Sequence, residues 1–247
     1  GRNIMHESQE QIITGRNSVI ETLHAQSVNK VYIQKDKKDQ TITKLASQNN
    51  VPVVYVERHY LDQLTNKANH QGVALSVAPI SYLSIEELMA KHDLNNNPMF
   101  LILDEVQDVH NLGAILRVCD AFQIEGIILN KRRSAPVNAT VSKISTGAIN
   151  YVDICRVNNL VQAIEKLKAN GYWIADLDMH GNFQVDDNIY ERPLAVIIGG
   201  EDKGVSKMMK KHSDMSITIP MQGHVNSLNV SCAVTILGFE HMRGSKC

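Results

Sequence analysis

The stretch Ile219-Pro-Met-Gln-Gly-His-Val-Asn-Ser-Leu-Asn-Val-Ser231 decides how the rest of the chain is read. The residues before it, 216–219, alternate like a short strand. Pro220 and Gly223 then break the extended run into a loop. Ser227 or Asn226 can cap the helix that follows, because a short polar side chain at a helix start accepts from an otherwise unpaired backbone N–H. That helix is expected to reach about residue 242. It carries Val230, Ala233, Val234 and Leu237 on one side and Cys232, Ile236 and Phe239 on another, the mark of a buried helix. Ser227, Ser231, Thr235 and Gly238 lie between the two stripes, and small residues at that spacing let another helix come close. A polar loop is thus held between a buried strand and a buried helix, which is where a site is expected.

Working outward, residues 98–247 alternate strand and helix. Strands are expected at 100–103, 126–129, 151–155, 172–175 and 194–198. The helix after the first strand is capped by Asn111 and runs to Phe122. A second is capped by Asn138 and ends at Gly147, and a third begins at Asn158 and stops at Asn170-Gly171. Continuous apolar strands separated by helices predict an α/β fold with a mainly parallel sheet covered on both faces. Residues 11–78 read as a smaller α/β unit, with helices at 15–25 and 41–48, a short helix holding Leu61 and Leu64, and strands at 30–34, 51–56 and 72–77. Residues 79–97 contain one weak helix (85–91) and the run Asn95-Asn-Asn-Pro98, and read as a linker. Residues 1–10 are polar, lack an initiator Met, and read as a disordered leader or expression remnant.

Composition narrows the class. The chain has 247 residues, 43% of them hydrophobic, and a net charge of −1. No apolar run approaches the ~18 residues of a membrane span. The four cysteines show no Cys-x-x-Cys spacing, so neither zinc nor a disulfide framework is expected, and a reducing cytoplasm fits. A neutral balance argues against a nucleic-acid binder. Local basic clusters remain at 35–38, 131–133 and 207–211. Each is most simply a solvated face, although the 131–133 cluster sits where a strand ends.

Three motifs carry more information than the composition. They are Leu103-Asp-Glu-Val-Gln-Asp-Val-His-Asn-Leu-Gly-Ala-Ile-Leu-Arg117, Ile198-Gly-Gly-Glu-Asp-Lys-Gly204, and the opening stretch. In that order they resemble the three motifs of the SpoU/TrmH ribose 2′-O-methyltransferases, over roughly residues 99–243. Neither a Gly-x-x-x-x-Gly-Lys-Ser/Thr phosphate loop nor a Gly-x-Gly-x-x-Gly fingerprint accompanies them, which disfavours nucleoside triphosphates and dinucleotides. The resemblance implies a deep C-terminal trefoil knot, which periodicity alone does not predict. It implies S-adenosylmethionine as cofactor, and no metal.

Arg117 stands out on a helix that reads as apolar nearly all round. A guanidinium there must be paired, with Asp104, Glu105 or Asp108, or lie beside a polar cavity. The resemblance makes it a substrate contact. Its pKa makes it a poor base, so a role in holding a phosphate or the 2′-hydroxyl is expected. The resemblance adds Asn111, Glu201, Ser227 and Asn229 to the catalytic cluster, although capping is an ordinary role for Asn111, Ser227 and Asn229, and Glu201 could equally be a solvated turn carboxylate. Thr146, Gly199, Gly200, Ile219, Met221 and Leu228 are implied as cofactor contacts. The glycines permit φ > 0 and close approach to a ligand. His224 titrates near neutrality, yet a solvent-facing histidine is the plainer reading.

The resemblance further implies RNA as partner, a homodimer formed through the C-terminal helix, and an N-terminal unit like the ribosomal-protein-like domain of the enzymes that methylate guanosine in large-subunit ribosomal RNA. His70-Gln-Gly72 matches an element of that domain. A transfer RNA ribose methyltransferase is the alternative within the class. A non-catalytic RNA-binding assembly factor is the alternative outside it, and a nucleotide-using metabolic enzyme the third reading.

Overall fold

The computed structural model describes residues 11–25, 28–77, 80–137, 141, 144–145, 148–201 and 203–245. The expected leader, the cap at Asn138 and Thr146 fall outside these. The chain forms two compact units, residues 1–80 and 81–247.

In the first unit β1 (Gln11–Thr14), α1 (Arg16–Ala25), β2 (Lys30–Gln34), α2 (Gln40–Gln48), β3 (Val53–Val56), α3 (Arg58–Leu64) and β4 (Val73–Val77) follow in order. The sheet order is β1-β4-β2-β3, with β2 and β3 parallel and the other pairs antiparallel. Alternation along β2 and β4 places Val31, Ile33, Val73 and Leu75 against Val19, Leu23, Ile42 and Ala46, and Tyr32 and Ala74 against Leu61 on the other face. Asp39 starts α2 by accepting from the Ile42 N–H at 3.1 Å. His70 is buried. Its Nδ1 accepts from the Gly72 N–H and its Nε2 meets Asp62, each at 2.9 Å, so the His-Gln-Gly element closes a turn.

The second unit comprises β5 (Tyr82–Leu83), α4 (Ile85–Lys91), β6 (Met99–Asp104), α5 (Val109–Phe122), β7 (Gly126–Asn130), β8 (Asp153–Val157), α6 (Leu160–Ala169), β9 (Trp173–Leu177), β10 (Phe183–Gln184), β11 (Leu194–Gly199), α7 (Lys207–Lys210), β12 (Met215–Thr218) and α8 (Val230–Gly244). Eight strands run in the order β10-β12-β9-β11-β6-β7-β8-β5, and every neighbouring pair is parallel. β6 and β11 lie at the centre and are buried along nearly their whole length, as their uninterrupted apolar sequences require. Phe100, Ile102, Ala195 and Ile197 face a core completed by Leu88 of α4, Leu160, Ile164 and Leu167 of α6, and Ile174. The alternate residues Leu101, Leu103, Val196 and Ile198 are buried on the opposite face. α5 and α8 pack against each other, and α8 also meets β11.

Several expectations are corrected. The presumed linker 79–97 is largely part of the second unit: Tyr82 and Leu83 pair with Ile154 and Cys155, and Ile85 and Leu88 are buried in its core. Ser84 and Glu87 form a reciprocal capping box at the start of α4, a sign present in the sequence but outweighed by the surrounding asparagines. Asn111 is not a cap. Asp108 is, accepting from the His110 N–H at 2.7 Å, and Asn111 falls in the first turn. Asn159, rather than Asn158, caps α6, and Asn229, rather than Ser227 or Asn226, caps α8. The close approach at Gly238 is internal. A Cβ there would stand 3.0 Å from the Phe122 ring and 3.3 Å from Ile124 of the same chain. The stripe of Cys232, Thr235 and Phe239 is left exposed, with Ile236 half-buried.

Candidate active site

Parallel strands deliver their C-terminal ends to one edge, and the loops there form the site. β6 and β11 are in register at Gly199 and Asp104, so the turn after β11 lies beside the segment leading into α5. The Gly199-to-Gly204 turn closes on itself, with the Gly204 N–H donating to the Gly200 carbonyl at 3.0 Å and the Gly200 N–H to the Asp104 carbonyl at 3.1 Å. A Cβ on Gly199 would lie 2.0 Å from the Gly204 carbonyl carbon, and one on Gly200 would lie 2.8 Å from the Glu105 oxygen. These two glycines are therefore required by the chain's own crossing rather than by a ligand's approach. Asp104 accepts from the Ser206 N–H at 3.0 Å and fixes the far side of the turn.

This turn presents Glu201 to Asn229. The Asn229 amide donates to Glu201 Oε1 at 2.6 Å and to Asn111 Oδ1 at 3.3 Å. Its own oxygen accepts from the Ser231 N–H at 2.9 Å and the Ser231 hydroxyl at 2.6 Å. The N–H at the start of α8 thus fixes which end of the amide faces the carboxylate. Three residues from three separate segments form one cluster, with Asn111 the buried member.

Glu201 lines two open cavities, whereas Asn229 lines neither. The larger, about 530 Å³, lies between the glycine turn, the loop 219–229 and the end of β9. Gly199, Gly200, Ile219, Met221, Ser227 and Leu228 all line it. Among the described residues the backbone N–H groups of 221–228 donate to no other group, so the loop offers open main-chain donors beside the apolar Met221 and Leu228. The smaller, about 470 Å³, is lined by residues 104–108 and Asn111, and shares Gly200, Glu201 and Lys203 with the first.

Two expectations fail here. Arg117 is exposed, lines neither cavity, and forms no ion pair among the described residues. At about 100° per residue it sits some 240° around α5 from Asn111. Its suggested partners are engaged elsewhere, Glu105 with Arg133 at 3.2 Å, Asp104 with Ser206, and Asp108 with the start of α5. The helix only read as apolar all round, because Ala114 and Val118 are half-exposed. Ser227 lines the larger cavity but neither caps α8 nor hydrogen-bonds the cluster. His224 is exposed, as the plainer reading expected.

Sequence reasoning missed Asp178, His180 and Lys210, which line the larger cavity. Lys210 Nζ donates to Asp178 at 2.7 Å, and that bond holds the Asp178 carboxyl below the usual carboxylate range. The available signal was the rule that ligands bind beyond the C-terminal ends of parallel strands, which singles out the residues after β9.

Comparison with known proteins places the chain in a family. The family model described as the SpoU rRNA Methylase family matches residues 98–239. A second, described as RNA 2'-O ribose methyltransferase substrate binding, matches residues 12–83. A Staphylococcus haemolyticus protein named for the TrmH family of tRNA/rRNA methyltransferases is 39% identical over 240 residues, 95% of this chain and 96% of that one. YacO of Bacillus subtilis, named in the same way, is 37% identical with the same coverage. Among solved structures, the SpoU methyltransferase AviRb from Streptomyces viridochromogenes, in complex with AdoMet, superposes with a TM-score of 0.68 at 22% identity, over 95% of this chain and 89% of that one. An AdoMet-bound rRNA methyltransferase from Sinorhizobium meliloti gives 0.66 at 22% identity, over 96% and 88%. These two show the likeness of fold.

Proposed function

Because the chain belongs to the SpoU rRNA methylase family and is an S-adenosylmethionine-dependent RNA methyltransferase, we propose that it methylates a ribose 2′-hydroxyl, on a guanosine of large-subunit ribosomal RNA. The observation that carries this reading is the Asn111–Asn229–Glu201 cluster, of which Glu201 lines both cavities and Asn111 the smaller one.

The larger cavity fits the cofactor. Its volume lies within the range for small-molecule sites. Met221 and Leu228 supply apolar surface, and the open main-chain groups of 221–228 can read an adenine edge. When bound, S-adenosylmethionine supplies an electrophilic methyl group. The ribose then enters from the smaller cavity. Glu201 keeps one carboxylate oxygen on Asn229, and its second, without a hydrogen bond among the described residues, can accept from the 2′-hydroxyl. Asn229, itself held by the Asn111 oxygen, fixes that carboxylate, so the work of the site is positioning and exclusion of water.

The match of residues 12–83 to a substrate-binding model supports the N-terminal unit as an RNA-recognition module, and the resemblance carried by His70-Gln-Gly72 favours ribosomal over transfer RNA. The protein acts as a homodimer through α8. Phe239, 47% exposed, and Cys232 lie on the outer face of α8, and Arg117 on the outer face of the helix packed against it. Pairing these faces covers the apolar stripe and brings Arg117 toward the partner's cleft. The trefoil threading of the C-terminal segment and a cytoplasmic location belong to the same reading. Tritiated methyl transfer to purified ribosomal and transfer RNA, followed by mapping of the nucleotide, tests it. Labelling of transfer RNA alone, or on a base, would overturn it.

A further inference from the structure

Beyond the catalytic cluster, a run of three further cavities continues along the C-terminal edge of the sheet. The smaller active-site cavity shares Asp104 and Glu105 with one of about 360 Å³, which includes Arg132 and Arg133. That cavity shares Asn130 with one of about 280 Å³. The last, about 190 Å³, shares Lys131 and Arg156 with its neighbour. The run leads past the ends of β6, β7 and β8.

The basic loop 131–133 is held rigidly on this edge. The Lys131 N–H donates to the Val157 carbonyl at 2.9 Å, and the Ala135 N–H to the Val106 carbonyl at 3.0 Å. The Arg132 N–H is turned onto the Asn130 side chain at 3.3 Å. The carboxylates along the run are already engaged: Glu105 with Arg133, Asp104 with the Ser206 N–H, and Glu86 with Lys166. Lys131 and Arg132 form no ion pair among the described residues and are exposed. Arg156 stacks its guanidinium 4.5 Å from the centre of the Tyr82 ring. Lys131, Arg132 and Arg156 therefore carry no ion pair among the described residues in a groove that opens from the reacting centre. A groove of that kind suits a polyanionic strand, with the Arg156–Tyr82 stack offering a flat face to a base.

We propose that Lys131, Arg132 and Arg156 form a phosphate track for the single-stranded RNA flanking the methylated nucleotide. The proposal rests on the reading of the protein as an RNA methyltransferase. It assigns to the catalytic unit a share of RNA affinity separate from that of the N-terminal unit. The chain's near-zero net charge is compatible with this, because binding follows the local array of free cations rather than the total.

The test uses the full chain with Lys131→Gln, Arg132→Gln and Arg156→Gln combined, and fluorescence anisotropy with a short mixed-sequence single-stranded RNA over a salt series. Removing three phosphate contacts should lower the slope of log affinity against log salt by about 2, and affinity at low salt by tenfold or more. Binding of S-adenosylmethionine and the thermal midpoint should not move. In methyl transfer, KM for RNA should rise while kcat at saturating RNA holds. Arg156→Lys, which keeps the charge, should retain the slope. Lys168→Gln, which removes a cation paired with Asp214, should change nothing. Wild-type slope and affinity in the triple variant would overturn the track and leave the enzymatic reading standing. A wild-type protein that binds the RNA with the expected slope but transfers no methyl to any RNA would sink the enzymatic reading and, with it, the assignment of the groove to RNA flanking a methylated nucleotide. Absence of RNA binding by the wild type would overturn the track.

Discussion

Asn229 joins Glu201 at 2.6 Å through the same side chain that caps α8. One half of the amide is committed to the helix and the other to the carboxylate, so folding of α8 sets the position of Glu201. The two roles can be separated. Asn229→Asp keeps an oxygen for Ser231 but places a second carboxylate against Glu201. Methyl transfer should fall on the order of 100-fold while stability holds within about 1 kcal/mol. Asn229→Ala should lose activity and about 1 kcal/mol of stability together. Initial rates and urea denaturation distinguish them, and an Asp variant with wild-type turnover would remove Asn229 from the site.

Arg117 is exposed and forms no ion pair among the described residues, so Arg117→Ala should leave folding unchanged within about 0.5 kcal/mol. Activity should nevertheless fall on the order of 100-fold if the protein pairs through α8 and the guanidinium serves the partner's cleft. Mixing Arg117→Ala and Asn229→Asp chains should then restore activity, because each mixed dimer has one intact cleft. Random exchange predicts about a quarter of wild-type sites. No recovery on mixing would place Arg117 outside the partner's site.

Gly199 has no room for a side chain, whereas a Cβ on Gly223 meets nothing within 4 Å. Gly199→Ala should force the glycine turn open, weakening S-adenosylmethionine binding tenfold or more and lowering the melting temperature. Gly223→Ala should leave both unchanged within roughly 0.5 kcal/mol. Calorimetric titration and thermal melts read the contrast. Equal behaviour of the two variants would contradict the turn geometry.

His241 is buried in α8 against the Tyr190 ring, and its Nδ1 has no partner among the described residues. Tyr190 gives its hydroxyl to the Val185 carbonyl, and the neighbouring Glu240 is paired with Arg243. Desolvation pulls the imidazole from its ordinary 6.5 down to about 4. Unfolded chains therefore bind a proton below pH 6.5 that folded chains refuse until about pH 4. The associated stability is full above the unfolded value and declines through that window, by roughly 3 kcal/mol in all. His241→Phe should flatten this part of the profile. Denaturant titrations at pH 7 and pH 4.5 on both proteins decide it, and identical slopes would refute the assignment.

Residues 81–247 include β5 and α4, so a truncated chain that begins at Ser81 should fold and bind S-adenosylmethionine as the full protein does. A start at Asn97 removes Ile85 and Leu88 from the core and should cost several kcal/mol. The Ser81 form should lose RNA affinity or site choice. Unchanged efficiency at the same nucleotide would show that the N-terminal unit is not a recognition module.

The alternation of apolar strands with capped helices was sufficient to indicate a parallel α/β sheet, because buried strands such as 100–103 and 194–198 leave no polar position to mistake. The order of the three motifs likewise selected Asn111, Glu201 and Asn229, which the structure brings together. What the sequence could not settle was which surface each helix turns to its own chain. Ala114 and Val118 made α5 look apolar all round, and only packing shows Arg117 on the open side. Gly238 signalled a close approach without naming its partner, which proves to be Phe122 of the same chain. The two-residue strands β5 and β10 carry no period to read, and exist because neighbouring strands offer unpaired edges. Asp178 and Lys210 meet across 32 residues. Local sequence sets propensity and pattern, whereas such encounters depend on how distant segments share the limited apolar surface of one core.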